Sequence, residues 1–286
     1  MKKAMLLSTV ILLAFMSSGY AQDAEMQGTF KLEYSGKYIW RGFNVFGAKS
    51  AIHPTLDLFF PNSSIGFSVE GHRANSSEYE IAERWDYSLY YLGKMFAGET
   101  YEMNYRLAYV YYNFPQQSSH TRGDNPIDDP IGFTLDCGTF DLQEGHAVMS
   151  FPKILGVENL VPTYVLVKLM PVNSGTVVGA KSPSGGTSSG FAHIFMLDYS
   201  VPFTCPLTGI DRDLKLHSEF VFNDGVSPTG TNADHDWSNA VFGVSTSYDL
   251  AENVSLSPGF YYQSSWDDSV NPSDEYWASL SLTCKF

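Results

Sequence analysis

Apolar and polar residues alternate along most of the chain, and the alternation is clearest in the C-terminal segment 276–286. Successive side chains of a β-strand point to opposite faces of the sheet. One face of this segment would carry Tyr276, Ala278, Leu280, Leu282, Cys284 and Phe286, and the other Trp277, Ser279, Ser281, Thr283 and Lys285. The segment is therefore predicted to be a strand with one apolar and one polar face.

Further segments fit the same template, although two in the middle of the chain alternate weakly. They lie near 30–40, 52–60, 65–72, 85–91, 101–109, 141–151, 162–171, 191–201, 214–222, 240–248 and 254–262. Alternating strands of about 9–11 residues, separated by turn residues, are typical of membrane-spanning barrels. We predict an all-β fold, a transmembrane antiparallel up-and-down β-barrel of about 12 strands. Ten or fourteen strands and a soluble β protein are the alternatives.

The connections between these segments alternate between short and long. Short ones, such as 61–64 and 249–253, follow the even-numbered segments, and longer ones follow the odd-numbered segments. Bacterial outer-membrane barrels have short periplasmic turns and longer extracellular loops. A β-sandwich has no reason to produce this order, so the barrel is favoured.

The N-terminus has the features of a secretory signal peptide. Two lysines precede an apolar run at 4–16, and small residues lead to a predicted cleavage before Gln22. The apolar run is shorter than the roughly 20 residues of a transmembrane helix. We predict a signal peptide at 1–21, a single barrel domain at 22–286, and a location in the outer membrane of a Gram-negative bacterium.

The terminal Phe resembles the C-terminal signal of bacterial outer-membrane barrels. The residues that carry the resemblance are Tyr276, Leu280, Leu282 and Phe286. The resemblance implies recognition by the barrel assembly machinery, with outer-membrane lipid and lipopolysaccharide as further partners. Aromatic residues make up 15% of the chain, which suits girdles at two membrane interfaces. Trp40 and Trp85 are assigned to these girdles.

A second resemblance concerns a particular family. Lys37-Tyr38-Ile39-Trp40-Arg41-Gly42 is similar to the opening strand of Gcw_chp, an uncharacterised family of bacterial outer-membrane barrels. Gln143-Glu144, Ser150-Phe151-Pro152 and 161–164 are similar to the acidic residue, short turn and Pro-initiated strand of such barrels. The family has no settled activity, so the resemblance implies fold and location and says nothing about the substrate.

Charged residues on the polar faces are nearly balanced, and we predict that they line the lumen. The basic ones are Lys31, Lys37, Arg84, Arg106, Lys168, Lys215 and Lys285, and the acidic ones are Glu33, Asp57, Glu70, Asp86, Glu102, Glu144, Asp198 and Glu219. Selection of ions by net lumen charge is therefore not expected. Ion pairs that fill the interior are one interpretation, and a narrow permeation path with a charged constriction is the other.

The excess negative charge, −14 with a pI near 4.7, lies mostly in the predicted loops. Its carboxylates are Glu78, Glu80, Glu83, Asp124, Asp128, Asp129, Asp136, Asp234, Asp236, Asp267, Asp268, Asp274 and Glu275. Such clusters can bind divalent cations loosely, although solvated loops are the simpler interpretation. No other cofactor is predicted, and the negative charge disfavours nucleic acid as a partner.

No catalytic arrangement stands out. His217 and Ser218 are adjacent and would point to opposite faces of a strand, and H-E-x-x-H does not occur. We predict a non-enzymatic barrel, a small pore or transport channel for an unknown small solute. The alternative is a structural or surface-interaction barrel with a sealed lumen that acts through its acidic extracellular loops.

Overall fold

The computed structural model describes residues 26–115, 141–172, 189–204, 209–227 and 233–286, and they form a closed, twelve-stranded antiparallel barrel. The strands are β1 (Gln27–Ser35), β2 (Ala51–Phe60), β3 (Ile65–Ala74), β4 (Arg84–Met95), β5 (Met103–Asn113), β6 (Leu142–Ser150), β7 (Leu160–Pro171), β8 (Gly190–Thr204), β9 (Asp211–Asp224), β10 (His235–Thr246), β11 (Val254–Ser265) and β12 (Glu275–Lys285). The predicted fold class and strand number are confirmed. The predicted signal peptide at 1–21 lies outside the described residues.

Each strand pairs with its neighbours in sequence, and β1 pairs with β12 to close the sheet. In this closing pair Phe30 lies opposite Cys284 and Tyr34 opposite Leu280. After β10 the chain continues as a short strand, Tyr248–Ala251, that stays paired with β11. The order of strands around the barrel is therefore the order along the chain, as an up-and-down barrel requires.

The connections alternate in length, as predicted. The short ones are 61–64, 96–102, 151–159, 205–210 and 247–253, and those at the other end are 36–50, 75–83, 114–141, 172–189, 225–234 and 266–274. Two of the latter, 75–83 and 266–274, have nine residues, which is the length of the short connection 151–159, so the alternation is clear for the other four. All short connections leave the same end of the barrel, which we call the short-turn end, and the other is the long-loop end. Residue 26 and Phe286 both lie at the short-turn end.

The outer surface of the barrel is apolar. Large side chains such as Leu89, Leu107 and Phe260 are 58%, 50% and 51% exposed, and they alternate with buried or half-buried residues that face inward. A closed barrel pairs its backbone groups between strands, so it can pass through lipid with such a surface. The chain thus has the architecture of an outer-membrane protein. The helices among the described residues are too short to cross a membrane.

The first connection, 36–50, folds into the barrel, and we call it the inward loop. The sheet pairing of β1 ends at Ser35 instead of continuing to Trp40, and the amide of Gly36 makes a last hydrogen bond to the carbonyl of Ala278. The assignment of Trp40 to an aromatic girdle is therefore wrong, because its side chain turns into the lumen beside Tyr112. Trp85, by contrast, shares an outward face of β4 with Tyr87.

An apolar core occupies part of the lumen near the long-loop end. Phe46 of the inward loop is fully buried and packs against Tyr38, with 5.2 Å between ring centroids. The facing wall is also apolar: its buried side chains include Val165, Val167, Leu169, Ala192, Ile194 and Val221. Trp40 of the inward loop packs against this wall, so the loop and the wall are in contact across the lumen at that level.

Candidate functional site

The tip of the inward loop crosses the lumen and places Arg41 against Glu144 of β6. Two guanidinium nitrogens lie 2.6 and 2.7 Å from the two carboxylate oxygens, and the hydroxyl of Tyr112 donates to the same carboxylate over 2.8 Å. The Glu144 side chain is completely buried. An arginine side chain stays protonated in proteins, so Arg41 and Glu144 form a buried ion pair.

A tight hairpin presents Arg41 in this position. Ile39–Trp40 pairs with Phe43–Asn44, and the two residues between them, Arg41 and Gly42, have φ values of 51° and 92°. Two consecutive positive φ angles are what a type I′ hairpin turn requires. Gln263 of β11 donates to the Gly42 carbonyl over 2.9 Å. The tip is therefore fixed to the wall on the side of β11 as well as to β6.

The base of the inward loop is held by Glu275 at the start of β12. Its carboxylate is paired with Lys37 and accepts a hydrogen bond of 2.7 Å from the side-chain amide of Asn44. Asn271 approaches the same oxygen at 3.4 Å. Lys37, predicted to line the lumen, thus anchors the loop at the long-loop end.

Arg84 of β4 is the second buried cation of the site. Its guanidinium makes two hydrogen bonds to Asp86, of 2.7 and 2.9 Å, and a third of 2.7 Å to the Tyr38 hydroxyl. The guanidinium carbon also lies 4.4 Å from the ring centroid of Tyr112 and 5.1 Å from that of Trp40. Desolvated contacts of this kind between a cation and aromatic faces are stabilising. Arg84 therefore connects the wall of the barrel with the inward loop.

A row of hydrogen bonds runs around the wall from β1 to β4. Ser35 Oγ lies 2.8 Å from His53 Nε2, His53 Nδ1 lies 2.8 Å from His72 Nδ1, and His72 Nε2 lies 3.0 Å from Asp86. A carboxylate held by Arg84 can only accept, so His72 carries its hydrogen on Nε2. His53 must then donate from Nδ1 and accept from Ser35. The geometry thus assigns one direction to the whole row when both imidazoles are neutral.

The other predicted lumen residues lie closer to the short-turn end, where they form smaller groups. Lys31 pairs with Glu33 at 3.2 Å, Tyr90 donates to Asp57 over 2.7 Å, and Thr55 donates to Glu70 over 3.3 Å. The guanidinium of Arg106 lies 4.4 Å from the ring centroid of Tyr90. On β9, His217 lies 2.7 Å from Asp198 and 3.9 Å from Glu219. Lys215 and Lys285 share the inward parity of their strands.

Glu102 lies in the turn 96–102 at the short-turn end, beyond the strands that line the lumen. It accepts hydrogen bonds from the Gly98 amide over 2.7 Å, from Lys153 over 2.8 Å and from Lys94 over 3.2 Å. The Gly98 amide, followed by the two lysines, lowers the pKa of Glu102 to about 2. This carboxylate joins two neighbouring turns of the barrel.

The prediction that Lys168 lines the lumen is wrong. Lys168 lies opposite Gly145 and Phe191 on the outward face, and its ammonium nitrogen is 4.2 Å from the Phe191 ring centroid. Because β7 is apolar on both faces, its sequence carries no alternation that could distinguish them. The face with Val165 and Val167 turns inward because it packs in the core of the lumen.

Sequence reasoning missed Arg41 and Tyr112 as members of the site. Arg41 stood in a segment that resembled the end of a strand, and Tyr112 lies beyond the predicted segment 101–109. A signal was present in Arg41-Gly42, which occupies the two central positions of a hairpin turn between Trp40 and Phe43. The contact between His53 and His72 joins two strands, and no pattern along the chain indicates it.

Metal binding finds no support in the parts of the chain that the structure describes. No group of three or more His, Cys, Asp or Glu side chains in those ranges is arranged to hold a metal ion. Four of the carboxylates proposed for loose divalent cations, at 124, 128, 129 and 136, lie outside the described residues.

No protein-family model and no curated protein matches this chain. The resemblance of the inward loop to Gcw_chp stays a prediction. Among solved structures, the NanC porin is similar over 91% of this chain and 100% of its own, with a TM-score of 0.49 and 8% identity. The COG4313 outer membrane channel from Pseudomonas putida F1 is similar over 93% and 99%, with a TM-score of 0.48 and 12% identity. At such identity the likeness does not extend to function.

Proposed function

We propose that this chain is an outer-membrane channel for a small solute, closed in this conformation by the inward loop. The long-loop end faces the outside of the cell and the short-turn end faces the periplasm. The observation that carries the proposal is the contact between Arg41 and Glu144, by which a charged hairpin spans the lumen. A lumen plugged by a loop at one level and lined by polar side chains below it fits a passage that opens when the loop moves.

The kind of contacts that hold the loop supports this function over a purely structural one. A buried ion pair is often no more stabilising than well-packed apolar residues of the same volume. The lumen of a porin is polar and filled with water, so charged side chains there stay solvated when the passage is open. Buried charged residues are therefore a poor way to stabilise a sealed barrel, but they suit the lining of a channel that opens. The residues concerned are Arg41, Arg84, Asp86 and Glu144.

Some buried polar atoms around the tip of the loop also lack a hydrogen-bond partner. Among the described residues, the buried atoms Asn239 Nδ2 and Gln263 Oε1 make no hydrogen bond. Leaving a buried polar atom unpaired costs about 1–3 kcal/mol. The closed arrangement is therefore stabilised less than its number of contacts suggests, which favours a loop that can be displaced.

The alternative of a sealed barrel has its own supporting observation. Phe46 is fully buried against Tyr38, and apolar side chains of β7 to β9 pack on the other side of the lumen. A permanent core of this kind suits a structural barrel that acts through its loops. The two functions differ in whether the lumen conducts.

Planar-bilayer recording of the refolded protein tests the proposal. Gly42→Ala should loosen the loop, because the new Cβ would lie 2.5 Å from Asn239 Oδ1 at a backbone with positive φ. We expect small or infrequent conductance steps for the wild type and larger, more frequent ones for Gly42→Ala. Gly145→Ala is the matched control, since a Cβ there meets nothing within 4 Å.

The outcome separates the two functions if insertion is verified by a heat-modifiable gel shift. Silence of both wild type and Gly42→Ala, with the barrel folded, would reject the channel and support the sealed barrel. We further infer that residues 1–21 are cleaved on export and that the terminal strand is read by the assembly machinery. N-terminal sequencing of the protein from outer membranes would test the cleavage before Gln22.

A further inference from the structure

The surroundings of the Arg41 guanidinium have the composition of a cation-binding site. Glu144 supplies two oxygens in a completely buried position, Tyr112 fixes that carboxylate with its hydroxyl, and the ring of Trp40 lies 4.5 Å from the guanidinium carbon. The guanidinium makes one hydrogen bond to this carboxylate, from Nη2 to Oε1, and its Nη1 lies 2.6 Å from Oε2 as an ion-pair contact without hydrogen-bond geometry. Each of these contacts is made to the guanidinium group itself. Arg41 therefore differs from a free guanidinium ligand only in being attached to the loop.

Arg41 holds this position against the preference of the backbone. The first central residue of a type I′ turn is normally Asn, Asp or Gly, because a side chain with a Cβ is strained at positive φ. Arg41 has a φ of 51° and is followed by a glycine. The turn alone would favour another residue, so we attribute the arginine to the contacts that its side chain makes.

The other charges near the site do not compete for Glu144. Arg84 is already neutralised by its two hydrogen bonds to Asp86. His146 approaches Glu144 only at 3.9 Å, and Glu219 faces His217 at 3.9 Å on β9. Without Arg41, Glu144 would be a buried carboxylate with one phenolic donor and no close cation, and an uncompensated buried charge of this kind is destabilising until another cation pairs with it.

We propose that Glu144 and Tyr112 form a binding site for the cationic head of a permeating solute, of the guanidinium or primary ammonium class, which Arg41 occupies as a tethered substitute while the loop is closed. The proposal rests on the channel function and names its substrate class. A solute that displaces Arg41 removes the contact that holds the hairpin to β6. Binding of the cationic solute therefore opens the channel. An anionic solute cannot pair with Glu144 and does not open it.

Chemical rescue tests the binding site without any need for conductance. Arg41→Ala leaves space for a free guanidinium, so methylguanidinium should stabilise this variant while methylurea, which has the same shape and no charge, should not. At a concentration about 100 times its dissociation constant, methylguanidinium should raise the unfolding temperature of Arg41→Ala by about 5 °C. The wild type, whose site is filled, should respond to the two compounds alike.

Two variants make the response specific. Arg41→Ala combined with Glu144→Gln should lose the rescue, because the carboxylate is gone and the cavity remains. Arg106→Ala removes another lumen guanidinium, one that stacks on Tyr90, and should respond equally to both compounds. If Arg41→Ala does not fold, Arg41→Gln retains part of the stem and leaves room for the ligand. Equal responses to the two compounds, or rescue that survives Glu144→Gln, would overturn the proposal.

Conductance then distinguishes a wrong ligand class from a wrong function. In a salt gradient, Arg41→Ala should prefer cations over anions several-fold more than the wild type does, and the double variant should not. Rescue without any conductance would reject the channel but leave the cation site standing. Conductance without rescue would reject the cation site and leave the channel.

Discussion

Phe286 and Gly28 are locked together where the last strand meets the first. The amide of Gly28 donates to the Phe286 carbonyl over 2.7 Å, and the amide of Phe286 donates to the Gly28 carbonyl over 2.9 Å. The Phe286 ring lies directly over Gly28, so close that a Cβ there would be 2.1 Å from a ring carbon. The terminal residue thus completes the seam that closes the barrel, and its side chain fills the space that the glycine leaves.

Deletion of Phe286 should lower the amount of protein in the outer membrane and leave export unchanged. The variant loses both seam hydrogen bonds and the ring over Gly28, together with the residue that we predict to be read during assembly. Immunoblots of outer-membrane fractions, compared with the processed protein in the periplasm, measure the two effects separately. Unchanged outer-membrane levels would contradict the prediction.

Gly28→Val separates the seam from the signal, because it leaves the terminal residues intact. Its side chain must displace the Phe286 ring, so the folded barrel should lose its heat-modifiable gel shift at a lower temperature than the wild type. The control is again Gly145→Ala, which adds a side chain on the outer surface of β6 in open space. A variant as resistant to heat as the control would show that the packing of Phe286 on Gly28 does not matter.

Strands could be predicted from the sequence wherever one face is apolar and the other polar, as in β12, since lipid and lumen impose that alternation. Prediction failed where residues contact a third environment besides lipid and the polar lumen, namely the apolar core inside the barrel. The apolar core of the lumen makes β7 apolar on both faces, which concealed the outward orientation of Lys168. It also receives Tyr38 and Trp40, whose alternation imitates a lipid-facing strand. Contacts such as Arg41 to Glu144 join distant segments, and no local pattern encodes them.

Asp86→Asn should be among the most destabilising single substitutions in the barrel. Asp86 is the only acidic partner within hydrogen-bonding distance of Arg84 in the described part of the chain, and the Arg84 side chain is 5% exposed. Removing one member of a buried ion pair costs about 3–5 kcal/mol, because the other charge stays buried. Urea unfolding in lipid vesicles, followed by tryptophan fluorescence, measures the free energy of unfolding.

Glu33→Gln is the matched control for Asp86→Asn. Glu33 pairs with Lys31 at 3.2 Å, but both side chains are about a third exposed, at 27% and 35%. A solvated pair of this kind contributes about 0–1 kcal/mol. Equal losses for the two variants would mean that burial of Arg84 does not set the cost.

The direction of the hydrogen-bond row predicts two different histidine tautomers. His53 should carry its hydrogen on Nδ1 and His72 on Nε2, because the row ends on the Asp86 carboxylate. Nitrogen chemical shifts of labelled histidine in micelles distinguish the tautomers at neutral pH. Ser35→Ala should remove only the first hydrogen bond and leave both assignments unchanged, whereas the opposite tautomer at His72 would refute the assigned direction.

Glu102 should make the stability of the barrel depend on pH in the acidic range. Its pKa is lowered from the ordinary 4.5 to about 2 in the folded state, chiefly by the Gly98 amide and then by Lys153 and Lys94. A depressed pKa means that the unfolded chain binds the proton more readily. The stabilisation is therefore complete above pH 4.5 and is lost as the pH falls towards 2.

Glu102→Gln should remove this acid-dependent part of the unfolding free energy, and Glu99→Gln should leave it in place, because Glu99 is exposed in the same turn. Urea titrations at several pH values between about 5 and 2 compare the slopes of the three proteins. The wild type and Glu99→Gln should lose stability more steeply than Glu102→Gln over that interval. Parallel curves would show that the hydrogen bonds at the turn do not favour the charged form of Glu102 over the neutral one.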